Sequence, residues 1–483
     1  MVTLDRLNRN LLDAEYAVRG PIVQRAQQLE AAGRKIIYCN IGNPQALRQK
    51  PLSYLRQGLS LLENPALLDT PAALSLYPRD IVARVREILR EHPPGTGAYS
   101  QSTGIPLIRR AVAEFIERRD GIPASKDRII LTDGASKGAQ GVLTALLRDP
   151  TCGVMIPIPQ YPLYSATLTL YGGRQIGYYL DEQNSWQLNE QILKRSIDEA
   201  KSYGIHPVCI VVINPGNPTG AVLSLENVRM IAAFAARHGL SIIADEVYQE
   251  NVYDPSVRFH SFARVLHEMR LDTVSLFTLH SVSKGFLGEC GHRGGYLEIR
   301  NVPEDVMEQF VKLQSISLCA NLPGQFSTYF MVAPPQPGDE SHAVYVAERD
   351  AVLASLRRKA EILDRGVNTI PGMHLDRPQG AMYAFVRFSL PPEEGVDASA
   401  MAPDDRRAYE AGRDSAYCLR LLEETGICVV PGSGFGQQPG TLHFRTTFLP
   451  PEEEITAMVR DLRAFHESYV KELEHSGHAD HHH

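Results

Sequence analysis

The chain has seven cysteines among 483 residues, scattered along it with no CxxC pair. An odd, unpaired set excludes a disulfide framework and predicts buried or free thiols in a reducing compartment. Long apolar runs are lacking too: none approaches the roughly 18 residues that a membrane span needs. The N-terminus, MVTLDRLNRNLLDAEYAVRG, has no extended apolar core of a secretory signal. The C-terminus, HSGHADHHH, carries no retention or peroxisomal tripeptide. These absences predict a cytoplasmic protein with no membrane partner. A basic excess is also missing, because 49 Lys and Arg against 56 Asp and Glu leave a net charge of −7. An electrostatically driven nucleic-acid partner is therefore not expected. The His-rich end has no fixed ligand geometry, so no metal site is assigned.

What is present is a composition that is 43% hydrophobic and 22% charged. It can build a large core and excludes a disordered or collagen-like chain. Length alone suggests roughly three units, but the patterning along the chain reduces these to two lobes. Pro21 opens a helical pattern that Gly33 closes. A short apolar run, Ile36 to Cys39, meets the turn Gly42-Asn43-Pro44. Residues 45–95, with prolines at 51, 65, 71, 78, 93 and 94, read as loop-rich. From Pro106 to about 300, helical patterns alternate with short apolar runs such as RIILT, VCIVVI, LSIIAD and VSLFTLH. Continuously apolar strands of this kind predict a mostly parallel sheet covered on both faces. The rhythm breaks at the proline-rich 333–338. An α+β pattern follows, with strands expected in AMYAFVRF, ICVVP and LHFRTTF and a charged helix near 403–425.

Several candidate chemical groups fall just past apolar strands, where ligands of open α/β sheets bind. Lys284, in Ser281-Val-Ser-Lys284, follows one such strand, and a partly desolvated amine there is a candidate Schiff-base nucleophile. Asp245 ends another, and Asn214-Pro-Gly-Asn217-Pro-Thr-Gly220 follows a third. Each alone is also compatible with an ordinary lysine, a turn-capping carboxylate or a turn. Gly134-Ala135-Ser136-Lys137-Gly138 lies between a strand and a helix, and small residues there expose N–H groups to a phosphate. The same five residues match the G-x-S-x-G nucleophile elbow. A Ser136 hydrolase with the late His443 is thus the competing reading from another class.

Occurring together and in this order, the motifs carry more than any one of them. The chain resembles the fold-type I pyridoxal-phosphate (PLP) aminotransferases and, within them, the alanine aminotransferase family. The resemblance spans nearly the whole chain. It is carried by AEYAVRGPIVQRA (14–26), NIGNP (40–44), GAYSQSTG (97–104), LTDGASKG (131–138) and PIPQYPLYSA (157–166). SVSKGFLGECGHRGGY (281–296), APPQPG (333–338) and QGAMY (379–383) complete it. Arg293 falls nine places after Lys284, and His292 stands where close relatives are expected to carry lysine.

The resemblance implies an α/β fold: a large domain with a mostly parallel seven-stranded sheet between helices, and a smaller α+β domain. The expected divisions are 1–70 (N-terminal arm and part of the small domain), 71–335 (large PLP-binding domain), 336–475 (C-terminal small domain) and 476–483 (His-rich tail). It further implies that Lys284 carries PLP and shuttles the proton, while Asp245 pairs with the ring nitrogen. Asn217 and Tyr248 would reach the ring 3′-oxygen, and Tyr161 would stack on the ring. Ala135, Ser136, Ser281 and Arg293 would hold the phosphate, with Tyr99 reaching the phosphate of a neighbouring subunit. Arg445, with Gly42 and Asn217, would bind the substrate α-carboxylate. The activity so implied is exchange between L-alanine and 2-oxoglutarate by a homodimer with shared active sites.

Overall fold

The apolar runs become strands, with ends close to those expected, in the computed structural model, which describes residues 1–479. In chain order these are β1 (Ile37–Tyr38), β2 (Ile129–Thr132), β3 (Cys152–Ile158), β4 (Arg174–Tyr179), β5 (His206–Ile213), β6 (Ser241–Asp245) and β7 (Leu276–Ser281). They continue with β8 (Gly295–Arg300), β9 (Met373–His374), β10 (Tyr383–Phe388), β11 (Ile427–Cys428), β12 (Val430–Pro431) and β13 (Leu442–Thr447). Seven form one sheet in the order β2-β8-β7-β6-β5-β3-β4. Neighbours from β4 to β7 pair in parallel, and β8 alone runs against β2 and β7.

The central strands read as unbroken apolar runs because both faces are covered. Ile210, Val212, Ile242 and Ala244 pack into one core, while Val211, Ile243, Phe277 and Leu279 pack into another on the opposite face. This two-residue alternation is the pleat of a strand buried on both sides. Because β2, β5, β6 and β7 run the same way, their carboxyl ends share one rim. Asp133, Asn214, Asp245 and Val282 stand at or just past those ends.

The C-terminal lobe is built on a four-stranded antiparallel sheet in the order β12-β13-β10-β9. Helices Pro403–Thr425 and Glu452–Ala479 supply Tyr417, Leu421, Met458 and Leu462 to its core beside Phe388 and Phe444. The N-terminal segment joins this side, since β1 pairs in parallel with β11, Ile37 opposite Ile427. The two lobes also meet through His443 of β13. Its Nε2 lies 2.9 Å from Glu182, its Nδ1 lies 3.0 Å from Gln437, and its ring stacks on Phe385 at 4.5 Å.

One expectation is corrected. Residues 45–95 are not loop-rich, because helices Ser53–Glu63 and Arg79–Glu91 lie within them. The prolines misled because they sit where helices tolerate them. Pro65 and Pro71 occupy first-turn positions of short helices and Pro78 is an N-cap, sites where the missing N–H costs no intrahelical bond. Of the His-rich end, residues 476–479 continue the last helix and 480–483 lie outside the described residues. All seven cysteines are free, and five of them are buried. Among the described residues, no helix is long and apolar enough to cross a membrane.

Helix Ser53–Glu63 approaches helix Leu322–Val332 closely at Gly58, where an added Cβ would fall 2.1 Å from Phe330 Cζ. Alanine would gain about 1 kcal/mol in helix propensity, but overpacking against a fully buried ring costs about 1–3 kcal/mol. Gly58→Ala should therefore lower the urea midpoint of unfolding. The double variant Gly58→Ala/Phe330→Leu should recover part of the loss.

Candidate active site

A cleft of about 450 Å³ opens at the sheet rim where the C-terminal lobe folds over it. Lys284 enters it from the segment after β7. The turn beyond it is fixed by Asn251, whose side chain accepts from the Gly285 N–H at 2.9 Å and donates to the Gly285 carbonyl at 3.0 Å. Lys284 Nζ donates to the Gly42 carbonyl. A Cβ on residue 42 would fall 1.8 Å from Tyr383 Oη and 2.8 Å from Lys284 Nζ. Glycine is thus the one residue that lets this backbone approach so closely.

On one side lies an anion cradle. Helix Gly134–Leu146 starts at the rim, with Ala135 and Ser136 in its first turn. Arg293 lies across that turn and donates to Ser136 Oγ at 3.0 Å. Gly134 makes room for it, since a Cβ there would fall 2.3 Å from Arg293 Nη2. Ser281 and Ser283 face the same space. A guanidinium, hydroxyls and the positive end of a helix together suit a phosphate dianion.

At the floor is Asp245, 6% exposed, which accepts from the Tyr164 hydroxyl at 2.7 Å. Burial pushes its carboxyl above the usual range, against the pull of Tyr164, the Val247 N–H and Lys284. A buried carboxylate in this position calls for a cationic partner.

On the other side Arg445 of β13 is 1% exposed. It donates to Asn217 Oδ1 at 3.1 Å and to the Asn40 carbonyl, while its Nε has no partner. Its guanidinium lies 4.3 Å from the Tyr383 ring centre and 4.7 Å from that of Phe435. The Tyr248 hydroxyl donates to Tyr383 Oη at 3.1 Å. Burial and the neighbouring Tyr383 push the Tyr248 phenol well up. Burial would also raise the Tyr383 phenol, but Lys284 and Arg445 outweigh it and hold this group below the usual range.

Every site residue expected from the sequence except Tyr99 lines this one cleft: Gly42, Ala135, Ser136, Tyr161, Asn217, Asp245, Tyr248, Ser281, Lys284, Arg293 and Arg445. Tyr99 lies outside it and is 71% exposed. His443 is bonded to Glu182 and Gln437, and Ser136 is bonded to Arg293. Ser136 and His443 do not pair, and the hydrolase reading loses its geometry. His292 turns away from the cradle to Ser327, 2.9 Å from its ring nitrogen. Sequence reasoning assigned no role to Tyr383, Tyr164 or Tyr16. All three lie inside stretches that carry the resemblance, QGAMY, PIPQYPLYSA and AEYAVRG, but nothing local marked them as belonging to a site.

The sequence matches the family model for aminotransferase class I and II over residues 73–462. The chain belongs to that family. It is 48% identical to the probable mitochondrial alanine aminotransferase of Dictyostelium discoideum, over 97% of this chain and 89% of that one. It is 44% identical to glutamate–glyoxylate aminotransferase 2 of Arabidopsis thaliana, over 97% of this chain and 96% of that one. Among solved structures, alanine aminotransferase from Pyrococcus furiosus superposes with a TM-score of 0.76 at 25% identity, covering 96% of this chain and 100% of that one.

These relatives correct the expected compartment. The Dictyostelium protein and two Arabidopsis alanine aminotransferases at 46% identity are named mitochondrial, so the cytoplasmic expectation does not stand. Its physical basis was too narrow: a missing apolar core argues against a secretory signal, whereas mitochondrial leaders are amphipathic and Arg-rich.

Aminotransferases of this family use PLP, and the residues of this cleft fit that group. The cradle at Arg293, Ser136 and the helix start suits its phosphate, buried Asp245 suits a protonated ring nitrogen, and Lys284 supplies an amine between them. For the cofactor-free protein, one tyrosine should ionise below the usual phenol range when tyrosinate absorbance is followed against pH. Because cations favour the phenolate, Arg445→Gln should move that titration to higher pH. Tyr383→Phe should abolish it.

Proposed function

We propose that the chain transfers the amino group of L-alanine to 2-oxoglutarate, giving pyruvate and L-glutamate in two ping-pong half-reactions. The observation that carries this reading is one lysine amine set between two different anion sites. On one side are the cradle and the buried Asp245. On the other is Arg445, a buried cation whose hydrogen-bond partners are neutral and which is suited to a carboxylate. The relatives named alanine aminotransferases support this choice of substrate and, with it, a mitochondrial compartment.

PLP, when bound, supplies a carbonyl that condenses with amines and a ring that withdraws electrons from the substrate Cα. Lys284 is the amine that holds it between turnovers. Once free, Lys284 would take the proton from the substrate Cα and deliver it to the former carbonyl carbon of the cofactor, so that the amino group stays with the cofactor when the 2-oxo acid leaves. Asp245, ionised, would pair with the ring nitrogen and keep it protonated. Asn217 and Tyr248 would hold the ring at its 3′-oxygen, and Tyr161 would stack on it. Ala135, Ser136, Ser281 and Arg293 would hold the phosphate. Arg445, with Asn217 and the backbone at Gly42, binds the α-carboxylate bidentately and fixes the Cα–H toward Lys284.

The same proposal includes a homodimer in which the exposed Tyr99 reaches the phosphate of the neighbouring subunit. It divides the chain into a large lobe over 71–335 and a smaller one over 336–475. Residues 1–70 form the arm that adds β1 to the C-terminal side.

Lys284→Ala should retain PLP without a covalent link yet lose at least about 10³-fold in the alanine half-reaction. Adding L-alanine should then leave its absorption spectrum nearly unchanged, and normal turnover by this variant would overturn the proposal. Arg445→Lys keeps the charge but loses the fork and the ring stacking. Its KM for L-alanine and for 2-oxoglutarate should rise together, by roughly 10-fold or more.

A further inference from the structure

Four cationic side chains line the cleft: Lys284, Arg293, Arg445 and Arg19. Three of them are engaged by the groups described above. Among the described residues, Arg19 has neither a hydrogen bond from its side chain nor an ion pair, and Asp245 on the far floor is the one carboxylate that lines the cleft. Nothing inside the cleft therefore neutralises Arg19.

Although its side chain is unengaged, the backbone that carries it is fixed. Arg19 ends the short helical turn Ala17–Arg19, and its N–H donates to the Tyr16 carbonyl at 3.2 Å. The Tyr16 and Tyr161 hydroxyls are 2.5 Å apart. Val18, 8% exposed, is buried in a cluster with Trp186, Phe385 and Phe435. Phe435 is the same ring that Arg445 lies against, and Phe385 is the cross-strand partner of Arg445. The segment bearing Arg19 is thus anchored to the aromatic floor that carries the α-carboxylate site.

Resting on the reading of the previous subsection, we propose that Arg19 binds the distal carboxylate of the five-carbon dicarboxylate substrates, glutamate and its 2-oxo acid. The argument turns on solvation. One cleft must accept both a methyl side chain and a carboxylate-bearing one. A buried, unpaired cation facing the methyl group of alanine would be costly. Arg19 is exposed at the mouth, so it stays hydrated when the substrate is too short to reach it. It gains a charge-assisted contact when the substrate is long enough.

The test uses the PLP-loaded enzyme and Arg19→Gln, with the two half-reactions measured on the same sample so that the active fraction cancels. For glutamate and 2-oxoglutarate, kcat/KM should fall roughly 30-fold, while for alanine and pyruvate the change should stay within about threefold. Unreactive probes give a second readout: Arg19→Gln should weaken binding of glutarate by a similar factor and leave butyrate binding within about threefold. Equal losses in both half-reactions, or unchanged glutarate binding, would overturn the assignment of Arg19. Failure of the wild-type enzyme to process L-alanine would instead sink the proposed amino donor, and the glutarate-to-butyrate ratio would still judge Arg19.

Discussion

The buried guanidinium of Arg445 is the constraint around which the two lobes are arranged. A cation at 1% exposure with no carboxylate beside it carries a desolvation cost of several kcal/mol. Three chain segments share the compensation. Asn217 comes from the rim of the seven-stranded sheet, the Asn40 carbonyl follows β1, and Tyr383 opens β10 in the C-terminal sheet. The aromatic faces of Tyr383 and Phe435 lend partial negative charge without bringing a competing anion. The site is therefore complete only when the N-terminal segment, the large sheet and the small sheet are docked, and the unpartnered Nε is left for a ligand.

The same economy governs the centre of the cleft. Lys284 and Arg445 together favour negative charge on the Tyr383 oxygen, whereas Tyr248, hydrogen-bonded to it, is pushed the other way. Two phenols 3.1 Å apart thus divide into a donor and an acceptor before any ligand enters. Asp245 and Tyr164 repeat the arrangement at the floor, where a phenol steadies a carboxylate whose pKa burial raises. Charges of both signs are held in low-dielectric surroundings by neutral donors and acceptors. That is the condition under which an incoming charged group is bound strongly.

Most of this was legible in the sequence where the signal was local. Strand, turn and polar residue follow one another within a few positions at Thr132–Ser136, Ile213–Asn217, Ala244–Asp245 and Ser281–Lys284. A parallel sheet delivers all such ends to one rim without further information. Tyr383 and Arg19 carried no comparable mark. Tyr383 reaches the cleft because β10 pairs antiparallel with β13, which sets Phe385 opposite Arg445, and that register is a property of the folded lobe. Arg19 reaches it because Tyr16 meets Tyr161 across 145 positions of chain. The region 45–95 was misread for the opposite reason. Its prolines are strong local signals, but a proline at a helix start and one in a loop look alike until the following residues are seen to pack. The compartment was never written in the catalytic body, whose net charge and cysteine spacing are indifferent to it.

The contrast between the two arginines proposed to bind substrate follows from what each would have to discriminate. Every amino acid and 2-oxo acid substrate carries the carboxylate next to the reacting carbon. Its partner can therefore be buried, and the desolvation cost is offset each time a substrate binds. In the proposed exchange, the distal carboxylate is present in one half-reaction and absent in the other. A buried partner for it would strengthen one half-reaction and penalise the other, leaving the exchange unbalanced. An arginine on a pinned but exposed turn avoids this, because water replaces the missing carboxylate at little cost when the shorter substrate is bound. On this proposal burial grades the two sites by how invariant their ligands are, with Arg445 taken from an internal strand and the exposed Arg19 from a short turn near the N-terminus.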